Sequence, residues 1–111
     1  MALQLPTVEI VSDKDHKVLH LRGVLGMSNG PALRDAALKM SVGRTSADAS
    51  GRIHLDMSGV ESAEVAAFQI LAAFDAESRR RGRQIEVTGL PVTVEREFRA
   101  AGWCGFAPRS H

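Results

Sequence analysis

Apolar residues recur along this chain with two different periods, and the periods alternate. Thr7–Ser12 sets Val8 and Ile10 against Thr7, Glu9 and Ser12, and Lys17–Arg22 sets Leu19 and Leu21 against Val18, His20 and Arg22. Arg52–Asp56 and Gln84–Thr88 repeat the pattern, with Ile53 and Leu55, then Ile85 and Val87, on one side. A period of two predicts strands buried on one face. Between them the period lengthens to that of a helix. Leu33, Ala37 and Met40 mark a helix that opens near Pro31, with Ser28 or Asn29 as cap, and stops at Gly43. A long helix is expected from about Ala63 to Arg81, with Ser62 as N-cap, Gly82 as stop, and Ala63, Ala67, Ile70, Leu71 and Phe74 as core face. Val92 or Thr93 to Ala101 reads as a third helix, ended by Gly102. Ser58-Gly59 and Gly89-Leu90-Pro91 read as strand ends, Arg44–Gly51 as a flexible loop, and Trp103, Cys104 and Phe106 as a small apolar cluster.

The order β-β-α-β-α-β-α predicts an α/β fold. The first two strands form a hairpin, and helical crossovers make the rest of the four-stranded sheet mostly parallel. Strands buried on both faces show continuous apolar runs, which these do not. The helices are therefore expected mainly on one face. Val18, His20, Arg22, His54, Glu86 and Thr88 would share the other. With 111 residues, the chain is expected to form one domain, its core about residues 7–106 and a frayed tail at 107–111.

Composition excludes several function classes. The formal net charge is +1, which gives no field for nucleic acid or an anionic membrane. No apolar run approaches the ~20 residues of a membrane span, and the start lacks the pattern of a signal peptide, so a cytoplasmic location without direct membrane insertion is expected. The single cysteine, Cys104, forms no internal disulfide and has no cation-rich surround to activate it. No phosphate-cradling loop or nucleophile elbow is present. His20 and His54 could meet on adjacent strands, but a metal needs more ligands, and two surface histidines are the simpler reading. Arg79-Arg80-Arg81-Gly82-Arg83 could meet phosphates; a solvated helix end is again simpler. Asp56, at a strand end, is expected to brace backbone N–H groups. No enzyme activity, cofactor or metal is expected.

Three stretches together carry a resemblance. Leu21-Arg22-Gly23-Val24-Leu25-Gly26 followed by Pro31-Ala32-Leu33-Arg34 is similar to a strand, G-x-L-D, and a helix opening P-x-L-R. His54-Leu55-Asp56-Met57-Ser58-Gly59-Val60 resembles L-D-[LM]-S-G-V. Gly89-Leu90-Pro91 to Val94, then Ala101-Gly102-Trp103, resembles G-[LV]-x-P-x-V and a later x-G-[LF]. This is the pattern of the STAS domain, shared by sulphate transporters and anti-sigma factor antagonists, and it covers roughly residues 7–106. The resemblance implies a mixed sheet with helices packed on it, and a further C-terminal helix that is short or absent here.

It also implies a protein-binding role. In the antagonists a D-S-[ST]-G-L motif precedes the long helix, and its first serine is phosphorylated by a partner kinase that is itself the anti-sigma factor. Aligned without gaps, that motif falls on Glu64-Val65-Ala66-Ala67-Phe68. The acidic position is kept as Glu64, the phosphoacceptor position is Val65, and the Asp of G-x-L-D is Gly26. A second alignment, with a deletion of three residues, makes Ser62 the acceptor. The helical wheel turns Val65 away from the core face and puts Phe68 near its boundary, so an apolar partner contact at Val65 is expected. The implied docking patch comprises Gly26, Met27, Ser28, Asn29, Ser58, Ser62, Glu64, Val65 and Phe68. The implied partner is an anti-sigma factor of the serine-kinase type. The alternative is the ATPase of an ABC-type lipid transporter, which standalone STAS subunits bind. Small-molecule or nucleotide binding, proposed for some STAS domains, has no supporting loop here.

Overall fold

The computed structural model describes residues 7–13 and 16–100. Four strands, β1 (Val8–Asp13), β2 (His16–Leu25), β3 (Arg52–Ala63) and β4 (Gln84–Thr88), form one sheet in the order β1-β2-β3-β4. β1 pairs antiparallel with β2; β2–β3 and β3–β4 are parallel. α1 (Gly30–Val42) connects β2 to β3, α2 (Val65–Arg80) connects β3 to β4, and α3 (Val92–Ala100) follows β4. The mixed, mostly parallel sheet expected from the alternating periods is therefore present. Trp103, Cys104 and Phe106 lie outside the described residues.

One face of the sheet supplies the core. Leu19, Leu21 and Leu25 of β2, Ile53, Leu55 and Met57 of β3, and Ile85 and Val87 of β4 are buried together with Leu33, Met40, Ala67, Leu71, Phe74, Val94 and Phe98 of the helices. Val8 and Ile10 of β1 pack against this cluster. Each fully buried leucine or isoleucine contributes about 1.5–3 kcal/mol of hydrophobic stabilisation. Phe68 of α2 meets Phe98 of α3 edge to face, with ring centres 4.9 Å apart, which ties the two helices together.

β3 departs from the expected break at Ser58-Gly59 and continues to Ala63. The continuation works because β3 takes in two extra residues. From His20 to Arg22 on β2, the partners on β3 run from Asp56 to Gly59. From Gly23 to Val24 they run from Val60 to Ser62. Each extra residue is a β-bulge that resets the alternation. Met57, Val60 and Ala63 therefore all face the core at a spacing of three, where a regular strand allows two. Ala63 and Ser62 thus belong to β3. Ser62 pairs with Val24 and does not cap a helix; α2 starts at Val65 with Glu64 as N-cap.

Helix ends follow local chemistry. Pro31 stands in the first turn of α1, and the Gly43 N–H closes its end on the Lys39 carbonyl at 3.0 Å. Asn29 is the N-cap of α1, but its side chain bonds elsewhere, as described below. The arginine run is largely engaged. Arg80 and Arg81 pair with Glu77, and Arg79 pairs with Asp75. Arg83 donates to the Met40 and Ser41 carbonyls at the end of α1. Burial pushes the Asp75 carboxyl up, against the pull of Arg79.

The β4–α3 turn depends on one residue. Gly89 has φ +70°, and a Cβ there would stand 2.6 Å from the Ser58 Cβ. Gly89→Ala should therefore destabilise the fold by about 1–3 kcal/mol. The check is urea unfolding, with a lower midpoint and an unchanged slope.

Candidate functional site

The sheet face opposite the helices is polar and cross-linked among the described residues. His20 Nδ1 lies 2.9 Å from Asp56 Oδ2. His54 Nε2 lies 2.8 Å from Asp48 Oδ2, and its Nδ1 lies 3.5 Å from Glu86. Arg52 reaches Glu86, and Arg22 reaches Glu9 across the hairpin. The His16 ring tilts over that of His54, with centres 4.8 Å apart. His20 and His54 do share this face, and each is held by a carboxylate. Among the described residues, no group of three or more His, Cys, Asp or Glu converges as a metal site.

Two of these carboxylates are held in the charged form. The Ser50 hydroxyl, then His54, then the Arg52 N–H hold Asp48 well below the usual carboxylate range. At Asp56 burial pushes upward, but the Ser58 N–H and hydroxyl and then His20 outweigh it, and the net direction is down. Asp56 thus braces the first bulge of β3.

A different surface forms where β2 and β3 end. β2 stops at Leu25, whose carbonyl accepts the Glu64 N–H at 2.8 Å. A single 3-10 turn, Met27–Asn29, then leads into α1. Asn29 holds that turn from both sides: its Oδ1 accepts the Gly26 N–H at 2.8 Å, and its Nδ2 donates to the Val24 carbonyl at 2.7 Å. The Glu64 carboxylate folds back over Gly26 and accepts the Met27 N–H at 3.3 Å. Glu64 also accepts the Ala67 N–H, at 2.9 Å, on its own carbonyl. One residue thus joins the end of β2, the 3-10 turn and the start of α2. Gly26 makes this possible, because a Cβ there would overlap the Glu64 carboxylate.

This junction brings Gly26, Met27, Ser28, Asn29, Glu64 and Val65 together. Met27 is 82% exposed and Val65 66%. Val24, 50% exposed, stands opposite Ser62 on the strand pair leading into it. Ser58 and Phe68 lie elsewhere. Ser58 sits at the first bulge against Gly89, in a small hollow with His20, Leu21, Arg22 and Asp56. Phe68 faces the core against Phe98. Sequence reasoning missed the reach of Glu64 to Met27, although an acidic side chain opposite a glycine was its one available signal.

The comparisons with known proteins agree with this architecture. The family model described as "Mlab, STAS domain" matches residues 8–107. No curated protein matches the sequence. Among solved structures, an anti-sigma factor antagonist from Mycobacterium paratuberculosis superposes with a TM-score of 0.67 at 20% identity, over 90% of this chain and 83% of that one. The unphosphorylated anti-sigma factor antagonist SpoIIAA gives 0.63 at 11% identity, over 83% and 81%. The murine anion transporter Slc26a9 gives 0.64 at 22% identity, over 79% of this chain and 14% of the transporter. A mixed α/β sheet of this topology is a STAS fold, and the family match covers most of the chain. The chain belongs to the STAS domain family, whose members are generally regulatory binding domains without enzymatic activity.

Two outcomes follow from the site's geometry. Asp48 and Asp56 have folded-state pKa values below their unfolded ones, near 3.9. They therefore stabilise the fold above about pH 4, and that contribution is lost as the pH falls through the folded values. Asp48→Asn should lower the urea midpoint at pH 7, with the gap to the parent protein closing below about pH 4. For the junction, Gly26→Asp should be destabilising alone but largely tolerated with Glu64→Ala. A double-mutant cycle read by thermal unfolding should give a coupling of about 1 kcal/mol or more. Additive effects would mean that the two side chains do not compete for one space.

Proposed function

We propose that this chain is a non-enzymatic cytoplasmic regulator resembling an anti-sigma factor antagonist, which binds a protein partner through Met27, Ser28, Glu64 and Val65 and lacks the usual phosphorylatable serine. The supporting observation is Val65. It is the first residue of α2, is 66% exposed, and has no hydroxyl. An exposed valine beside an exposed methionine suits an apolar contact that truncation or charge disrupts. Among the described residues no helix is long and apolar enough to cross a membrane, which fits a partner-binding role. The partner of this reading is an anti-sigma factor of the serine-kinase type. Its occupancy is set by competition and abundance, because phosphate cannot be added at Val65.

Ser62 is the other acceptor the sequence offers. It lies within β3, paired with Val24 and partly covered, which is a poor presentation for a kinase.

Affinity purification from the native cell, with the Val65→Asp variant as control, tests the proposal. The expected outcome is a kinase-like anti-sigma factor recovered with the parent protein and lost with the variant, whose unfolding midpoint is unchanged. Recovery of a transporter ATPase instead assigns the chain to the ABC-transporter subunits. Phosphate on Ser62, read by mass spectrometry on the same sample, restores the ordinary serine switch and overturns this reading.

A further inference from the structure

α1 and α2 lie side by side, and a groove runs between their outer faces. It consists of two open depressions of about 350 and 320 Å³ that share Arg34, Ile70 and Ala73. Its lining is mainly apolar, with Met27 at one end and Leu38 and Phe74 toward the other. Leu38 is 59% exposed. Ile70, partly buried against the edge of the core, also lines this groove. From Ala66 to Glu77 the groove follows α2 for three turns, about 16 Å.

Two charged side chains line it, Glu77 and Arg34. Glu77 is neutralised by Arg80 and Arg81. Arg34 has no carboxylate within ion-pair reach among the described residues, whereas Arg22, Arg52, Arg79 and Arg99 all do. Among the described residues the groove thus holds one guanidinium without a carboxylate partner, midway along an apolar trough. Met27 belongs both to this trough and to the exposed junction beside Val65, so the two make one continuous surface.

We propose that the α1–α2 groove receives an amphipathic helix of a protein partner, with an apolar stripe lying along Leu38, Ile70 and Ala73 and one carboxylate meeting Arg34. The proposal rests on the protein-binding reading above and names the chemistry of the partner segment. A trough between two helices, three turns long, matches helical anchors at i, i+3 or i+4, and i+7. A carboxylate is the group that satisfies a guanidinium with paired, charge-assisted hydrogen bonds. An acyl chain is a poorer fit, because both depressions are open troughs and small apolar ligands need enclosure.

The test is a yeast-displayed library of helical peptides with randomised stripe positions, selected against the whole protein. Enriched peptides should carry apolar residues at helical spacing and one Asp or Glu within the stripe. Their binding should shift the backbone amide NMR signals of Ile70 and Ala73. Arg34→Glu, at an exposed position, should weaken them about tenfold or more, and Lys in place of the peptide's acid should restore binding to that variant. Arg96→Glu, on the exposed side of α3 away from the groove, should leave peptide binding intact. The peptide selection reads the groove and the affinity purification reads the Val65 contact, so the two can fail separately. Absence of enrichment, enriched stripes without an acid, indifference to Arg34→Glu, or decanoate filling the groove in place of any peptide overturns the proposal.

Discussion

The parallel pairing of β2 with β3 is the constraint on which the rest of the molecule depends. These are the two central strands, and their inward side chains, Leu19, Leu21, Leu25, Ile53, Leu55 and Met57, form the middle of the core. The same pairing sets where both strands end. β3 holds two more residues than β2 over the shared length, and this excess brings Ala63 opposite Leu25. Only then can the Glu64 N–H reach the Leu25 carbonyl and the Glu64 carboxylate reach Met27. The exposed junction is thus a product of strand register and not of loop flexibility.

The two faces of the sheet solve different problems with the same pairing. Inward, the side chains need only volume and apolarity, and packing decides their identity. Outward, no helix among the described residues covers His20, His54, Asp48, Asp56 and Glu86, and these groups hold one another by hydrogen bonds and charge. Asp48 comes from the segment between α1 and β3, so this network also pins that connection to the sheet.

Much of this was legible in the sequence. A period of two with Leu19, Leu21, Ile53, Leu55, Ile85 and Val87 on one side gave the strands and their buried face, because one-sided burial imposes alternation. Pro31, Gly43 and Gly82 marked helix ends through local backbone chemistry. The second half of β3 was hidden because two bulges break the period there, so Met57, Val60 and Ala63 no longer read as one face. Ser62 looked like a cap because serine before an acidic, helical stretch is a common cap pattern, and pairing with Val24 overrode it. Ile70 fitted the core wheel and does pack against the core, but only partly buried, so the same side chain also lines the groove. The Glu64–Gly26 contact joins residues far apart in sequence, which no local periodicity reports.

The strand order also bears on how the chain reaches this structure. The β1–β2 pairing joins segments close in sequence and can form from neighbouring residues alone. β3 cannot join it until α1 and the segment after it have been gathered into a closed loop, and β4 waits in turn for α2. Closing such loops costs entropy before any contact repays it, and non-local pairing slows folding. The Val24–Leu25 end of β2 finds its partners only once both bulges are in place, since Ser62 and Ala63 lie beyond them on β3. The junction of Gly26, Met27, Glu64 and Val65 thus depends on the last step of register, and a chain caught short of it would hold a hairpin and helices without that junction.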